Sequence, residues 1–236
     1  MKTEYTQRTA RLIGQENVVA LANKTILIFG VGGVGSFAVE AFGRAGIGHL
    51  ILVDADVFDP SNLNRQLGAT TTTIGRKKVN VMKERLLTIN PDIRIDTYDM
   101  FYLPGEQKDF IAQSGADYVV DAIDTTSAKI GIIEEAYSAG IPVISAMGAG
   151  NKLHPELFEV AYIEKTSVDP LAKILRRELK KRRIRHVKVV YSKEQPHPVH
   201  TETEELRPSP GSIAFVPSAA GMILAGAVIR DLLHID

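Results

Sequence analysis

No cysteine occurs anywhere in these 236 residues. That absence removes disulfides, thiolate zinc sites, thioester intermediates and persulfide chemistry from the chain's own repertoire. Net charge is missing too, because 28 Lys and Arg balance 28 Asp and Glu. No global field therefore recruits nucleic acid or a membrane, and any such partner has to be met by a local patch. The opening stretch, MKTEYTQRTARL, lacks the apolar run of a signal peptide, which points to the cytoplasm. No internal repeat is visible. What is present is ordinary for a globular protein, 44% hydrophobic and 24% charged, and long enough for a sizeable core.

Strand-like and helix-like runs alternate through the first 150 residues. Thr25–Phe29, His49–Val53, Arg94–Tyr98, Tyr118–Asp121 and Pro142–Ala146 read as strands. Residues 7–22, 35–45, 75–89, 107–114 and 127–139 have helical periodicity. Such alternation predicts βαβ units, hence an α/β fold: a Rossmann-like, mainly parallel sheet with helices on both faces. Right-handed crossovers then put the functional loops at the carboxyl ends of the strands. After Gly150 the texture changes. Phe158–Ile163 and Val187–Tyr191 read as further strands and Asp169–Arg183 as a basic helix with Asp169 as cap and Pro170 in its first turn. Gln195–Ser212 reads as a mobile, proline-rich loop, and an apolar helix follows Pro217. These elements are too few for a second core, so residues 1–236 are expected to form one domain: a nucleotide-binding core over 1–150 and an elaboration over 151–236.

The segment ILIFGVGGVGSFAVEAFGRAGIGHLILVDADVFDPSNLNRQ, residues 26–66, carries the chemistry. Gly30, Gly32, Gly33 and Gly35 lie between a strand and a helix, and Asp54 stands 19 residues beyond Gly35. That is the context in which a glycine turn holds phosphate against a helix N-terminus while an acid holds ribose. A dehydrogenase, however, has no use for the polar SNLNRQ that follows. Asn62 and Arg65 lie just beyond the second strand, Lys78 opens the next helix, and Asp124 follows the fourth strand. Two fixed cations and a carboxylate at the phosphate end suit ATP with Mg²⁺ better than a dinucleotide. Arg65 offers a bidentate grip and Lys78 a point charge; Asp56 joins the nucleotide-binding set and Asp124 is the candidate Mg²⁺ ligand. Taken singly, Arg65 also reads as a surface ion pair and Asp124 as a cap for residues 127–139.

Together, GVGGVG, VDADVFDPSNLNRQ, GRKKV, NPDI and DAIDTT resemble the ThiF/MoeB adenylating family, whose fold is shared with ubiquitin-activating enzymes. The resemblance implies that Asp54 holds the ribose, that Asn62, Arg65 and Lys78 serve the phosphates, and that Asp124 holds Mg²⁺. It also implies a homodimer in which Arg8, within RTARLIG, reaches the partner's phosphates. Relatives usually carry a four-cysteine zinc site and many a catalytic cysteine; this chain has neither. RTARLIG, TSVDPLAKILRRELKKR and GSIAFVPSAAGMILAGAVIRDLL resemble the branch of the family that cyclises a threonylcarbamoyl group on a modified adenosine of tRNA. There, an intramolecular nitrogen attacks the activated carboxylate, so no enzyme thiol is needed. The resemblance also admits a monovalent cation and a sulfurtransferase-type partner protein. The rival readings are an activator of a ubiquitin-like sulfur carrier and a non-catalytic nucleotide-binding module.

Three further features remain. Residues 173–188 hold nine Lys or Arg against one Glu. They read as a solvated helix face or as tRNA phosphate contacts through Arg176, Arg177, Lys180 and Lys181. No aromatics interleave the run, so base stacking there is not expected. His197 and His200, with Glu202, Glu204 and Glu205, make a weak metal pattern better read as a polar loop. Ile213–Ile229 barely reaches the ~20 residues of a membrane span; its small residues Ala219, Ala220, Gly221, Ala225 and Gly226 favour a buried or dimer-interface helix, with peripheral membrane contact as the alternative.

Overall fold

Alternate residues of Thr25–Phe29 (β1) point to opposite faces of a sheet, and both faces are buried. Ile26 and Ile28 join one apolar cluster, Leu27 and Phe29 another, as a period of two requires. The computed structural model describes residues 4–199 and 209–235. The other strands are His49–Val53 (β2), Arg94–Tyr98 (β3), Tyr118–Asp121 (β4), Val143–Ala146 (β5), Phe158–Tyr162 (β6) and Lys188–Ser192 (β7). They form one seven-stranded sheet in the order β3-β2-β1-β4-β5-β7-β6. Every pair is parallel except β6 with β7. The α/β expectation is met.

The helices are Gln7–Ile13 (α1), Gln15–Ala22 (α2), Gly35–Ala45 (α3), Lys78–Ile89 (α4), Phe110–Gln113 (α5), Thr126–Ser138 (α6), Pro170–Lys181 (α7) and Phe215–Leu233 (α8). One face of the sheet is covered by α3, α4 and α8, the other by α5 and α6. A third cluster seats Ala172, Leu175 and Leu179 of α7 on Val189 and Tyr191 of β7. Asp169 caps α7 as expected, its carboxylate accepting the Ala172 N–H at 2.9 Å.

Several boundaries shift for local reasons. The helical stretch 7–22 breaks at Gly14, whose φ of 89° and ψ of 149° leave the helical region. α4 starts at Lys78 rather than near 75 because Val57 and Lys77 form a β-bridge. α5 is short because Asp109, before it, is left-handed with φ 60°. α8 begins two residues before Pro217, which falls in the first turn where its missing N–H costs nothing.

By length and hydropathy, α8 is long and apolar enough to cross a membrane. Its apolarity serves the interior. Val216, Ala220, Leu224, Ala225, Ala227 and Val228 are buried in the main core, and α8 lies so close to α3 that a Cβ on Gly221 would sit 2.3 Å from the Val34 carbonyl oxygen. Backbone cannot yield as a side chain can. Gly221→Ala is therefore expected to cost about 1–3 kcal/mol by overpacking, read as a lower urea midpoint with unchanged slope.

Candidate active site

The chain leaves β1 towards β2 and β3 on one side, then returns to place β4 on the other. Loops at the carboxyl ends of β1 and β4 thus diverge, and ligands of open α/β sheets bind in the crevice so formed. A cavity of about 770 Å³ lies there. Gly30, Gly32, Gly33, Asp54, Asp56, Asn62, Arg65, Lys78 and Asp124 all line it, from four separate stretches of sequence.

The glycine turn is set by close approach. A Cβ on Gly35 would lie 1.9 Å from the Gly30 carbonyl oxygen, so only glycine lets α3 start there, directly behind the turn; Gly35 itself does not line the cavity. Asp54, at the end of β2, ties the turn to the next loop: its carboxylate accepts the Val31 N–H at 2.7 Å and the Asp56 N–H at 2.8 Å. Burial pushes its carboxyl up from the ordinary value, against those two bonds and the nearby Lys78.

The segment after β2 is held just as closely. The Asp59 carboxylate accepts the Ser61 N–H at 2.8 Å, and Asn62 Oδ1 accepts the Asp59 N–H at 3.1 Å. The resulting single helical turn leaves Asn62 buried, with its amide nitrogen making only a 3.4 Å bond to the Ser61 hydroxyl. Arg65 donates to the Ser61 carbonyl at 2.7 Å and to Asn64 Oδ1 at 2.9 Å. Among the described residues it has no carboxylate partner, so none of them makes the surface ion pair. Lys78 is buried and donates to Asp56 Oδ2 at 2.7 Å, while the Asp56 side chain is 55% exposed. Asp56 is thus the solvent-facing counter-ion of a buried lysine. Asp124 is exposed beyond β4, and Thr125, not Asp124, precedes α6 as its cap. Among the described residues its carboxylate accepts only the Thr125 hydroxyl, at 3.5 Å. The cap reading of Asp124 fails.

The ThiF family model matches residues 5–235, nearly the whole described chain. The chain belongs to the ThiF family. It is 42% identical to the tRNA threonylcarbamoyladenosine dehydratase of Bacillus subtilis, over 96% of this chain and 93% of that one. Its fold is similar to that of E. coli tRNA N6-threonylcarbamoyladenosine dehydratase in complex with ATP, with a TM-score of 0.89, 31% identity, and coverage of 98% of this chain and 95% of that one. The complex of the same enzyme with AMP also gives a TM-score of 0.89 at 31% identity, over 97% and 93% of the two chains.

This ThiF chain also contains a buried ionic cluster that motif reading missed. Lys129 of α6, Asp121 of β4 and Ser145 of β5 are all fully buried. Lys129 Nζ donates to Asp121 Oδ2 at 3.0 Å, to the Ala146 carbonyl at 2.7 Å and to the Ser145 hydroxyl at 3.3 Å. The Ser145 hydroxyl donates to the same carboxylate oxygen at 2.5 Å. The cluster fastens the two strand ends that lead into Asp124 and Gly148, both on the cavity wall. Its only trace in the sequence is a lysine inside the otherwise apolar AKIGII.

Other expected residues lie elsewhere. Arg8 is exposed on α1 and does not line the cavity. Arg176 donates to the Thr166 carbonyl and hydroxyl at 2.7 and 2.6 Å, so it anchors α7 instead of facing solvent. Arg177 and Lys181 pair with Glu178, whose carboxyl is held at about 2, chiefly by the bonds from Lys181 and Arg182. Lys180 is exposed with no acidic partner among the described residues. His197 faces Glu194 at 2.9 Å, and no cluster of three metal-ligating side chains occurs among the described residues. His200, Glu202, Glu204 and Glu205 lie outside them.

Breaking a buried ion pair by removing one partner costs about 3–5 kcal/mol, because the other charge is left without compensation. Lys129→Met is expected to lose stability of that order in urea at neutral pH. Lys129→Met combined with Asp121→Asn should recover part of it.

Proposed function

We propose that this chain adenylates the carboxylate of threonylcarbamoyladenosine in tRNA with ATP and then cyclises it, with AMP and pyrophosphate released and one water lost overall. The observation that carries the reading is the convergence of Arg65, Lys78 and Asp124 on one cavity in a chain similar along nearly its whole length to an enzyme solved with ATP. The domain comprises residues 1–236, with the nucleotide on the 1–150 side and the substrate and dimer elements on the 151–236 side, in the cytoplasm.

Asp54 accepts the ribose hydroxyls at the mouth of the glycine turn. Arg65, Lys78 and the Asn62 amide hold phosphate oxygens, and Asp56 gives up Lys78 to them. Mg²⁺ fits here: it takes one or two carboxylates beside phosphates and water, and Asp124 is exposed on the cavity with only a weak hydroxyl contact. Bound there, Mg²⁺ would supply charge neutralisation for the departing pyrophosphate. A carboxylate oxygen of the threonylcarbamoyl group attacks the α-phosphorus, and pyrophosphate leaves with the electron pair of the broken P–O bond. A nitrogen of the same group then attacks the mixed-anhydride carbonyl. AMP leaves with the electron pair of the C–O bond, and the nitrogen's proton passes to solvent. Because the nucleophile is tethered, effective molarity can supply on the order of 7–11 kcal/mol, and the absence of cysteine carries no penalty. The exposed cations Lys173, Lys180 and Arg183, none with an acidic partner among the described residues, meet tRNA phosphates, with Arg177 and Lys181 competing against Glu178 for the same role.

Incubating the protein with Mg²⁺, ATP and tRNA bearing threonylcarbamoyladenosine should release AMP in step with a nucleoside lighter by one water, read by mass spectrometry. AMP release on adding a sulfur-carrier protein but not tRNA would replace this reading with the sulfur-carrier one.

Arg8 completes the partner's site across a two-fold axis. Arg8→Ala is expected to lower kcat on the order of a hundredfold while leaving the melting temperature unchanged. Mixing Arg8→Ala chains with Arg65→Ala chains then rebuilds one site in each heterodimer and should restore about a quarter to half of wild-type activity. No recovery would place Arg8 in its own subunit's site or in none.

A further inference from the structure

A second cleft, of about 730 Å³, opens at the amino ends of the strands, on the far side of the sheet from the candidate active site. Four-to-five-residue strands at about 3.3 Å per residue put the two edges roughly 15 Å apart. One small ligand cannot fill both, but a macromolecule can touch both.

The charges in this cleft divide into those the fold accounts for and those it does not. Lys24 pairs with Asp117 at 3.0 Å, and Lys188 with Asp231, which also accepts the Tyr118 hydroxyl. Arg230 lies in the last turn of α8, where a cation answers the helix dipole. Arg185 has no such explanation. It is exposed on the loop between α7 and β7, outside any helix, with no acidic partner among the described residues. Its neighbour His186 is likewise exposed and left-handed, with φ 59°, as is Arg183 with φ 60°. A left-handed backbone at a residue other than glycine carries a cost, and such positions gather where a loop is shaped for a purpose.

Aromatic rings complete the wall. Tyr137 of α6 is 52% exposed and Tyr162 of β6 is 39% exposed, and Tyr162 meets the His186 ring edge-to-face at 5.6 Å. The basic run 173–188 contains no aromatic residue of its own apart from the His186 ring. The fold brings two tyrosines to its end from distant positions in the chain. Exposed rings that share a cleft with a guanidinium lacking an acidic partner among the described residues are what single-stranded nucleic acid requires, base on ring and phosphate on cation.

We infer that this cleft binds an unstacked nucleotide of the RNA, its base against Tyr137 or Tyr162 and its phosphate on Arg185. The inference rests on the proposed tRNA substrate and adds a second contact that orients the RNA across the sheet. The same strand passes the exposed cations Lys180 and Arg183 on its way round the edge.

Binding of labelled tRNA to the full chain, measured by fluorescence anisotropy over a range of salt, tests this. Combining Tyr137→Ala with Tyr162→Leu should weaken tRNA binding about ten- to a hundredfold through lost stacking. Arg185→Gln should reduce the steepness of the salt dependence by somewhat under one phosphate's worth. ATP affinity should stay at the wild-type value in each, which shows that the variants are folded. If wild-type protein turns tRNA over but these variants bind it with unchanged affinity and salt slope, the cleft inference is overturned and the proposed function stands. If they change only the mass in sedimentation equilibrium, the cleft is an interface between copies and the inference is equally overturned. If wild-type protein neither binds tRNA nor releases AMP with it, both readings fall.

Discussion

The divergence of the chain at the β1–β4 boundary is the constraint on which the rest depends. Two adjacent parallel strands send their following segments in opposite directions, so no connection can cover the gap between them. The glycine turn, the end of β2 and the segment beyond β4 therefore face one crevice. Close contact keeps it open: Gly35 against the Gly30 carbonyl, and Gly221 against the Val34 carbonyl. The second contact places α8 behind the first turn of α3, so the glycine-turn end of the cavity rests on packed backbone.

Within that crevice the cations are held by unlike partners. Lys78 is buried and held by an exposed carboxylate on a loop, Asp56. The acid of this pair is thus the member that solvent reaches. Arg65 is oriented by a carbonyl and an amide, neither of which cancels its charge. Asp54 makes the opposite arrangement: two backbone N–H groups steady it where burial disfavours ionisation, so its carboxylate geometry is set before any ligand arrives. Behind both stands the Lys129–Asp121–Ser145 cluster, where charges without access to water depend wholly on one another. It contributes position more than net stability, since a buried ion pair rarely outdoes well-packed apolar residues.

The lack of cysteine gains its meaning from the tethered nucleophile. Carboxylates activated as acyl adenylates are open to water and to thiols. A group that carries its own attacking nitrogen needs only to be aligned and kept dry. The demands on the protein are then alignment and the exclusion of water, both of which are matters of geometry.

By itself, the sequence determined the strands, their parallel pairing and the list of polar residues at their carboxyl ends. Those follow from local periodicity and from turn chemistry that needs glycine at fixed offsets. Helix ends were legible less well, because Gly14, Asp109 and the Val57–Lys77 bridge depend on backbone conformation that residue type only biases. Charge pairing was decided entirely by tertiary structure. Nothing in a string of residues distinguishes Arg176, turned onto Thr166, from Lys180, left to solvent, or shows that Lys129 meets Asp121 and Ser145 from three different elements. Nor does such a string show that Tyr162 meets the His186 ring. Electrostatic and stacking contacts act across a few ångströms of space, and only the packed sheet brings residues so far apart in the chain within that distance.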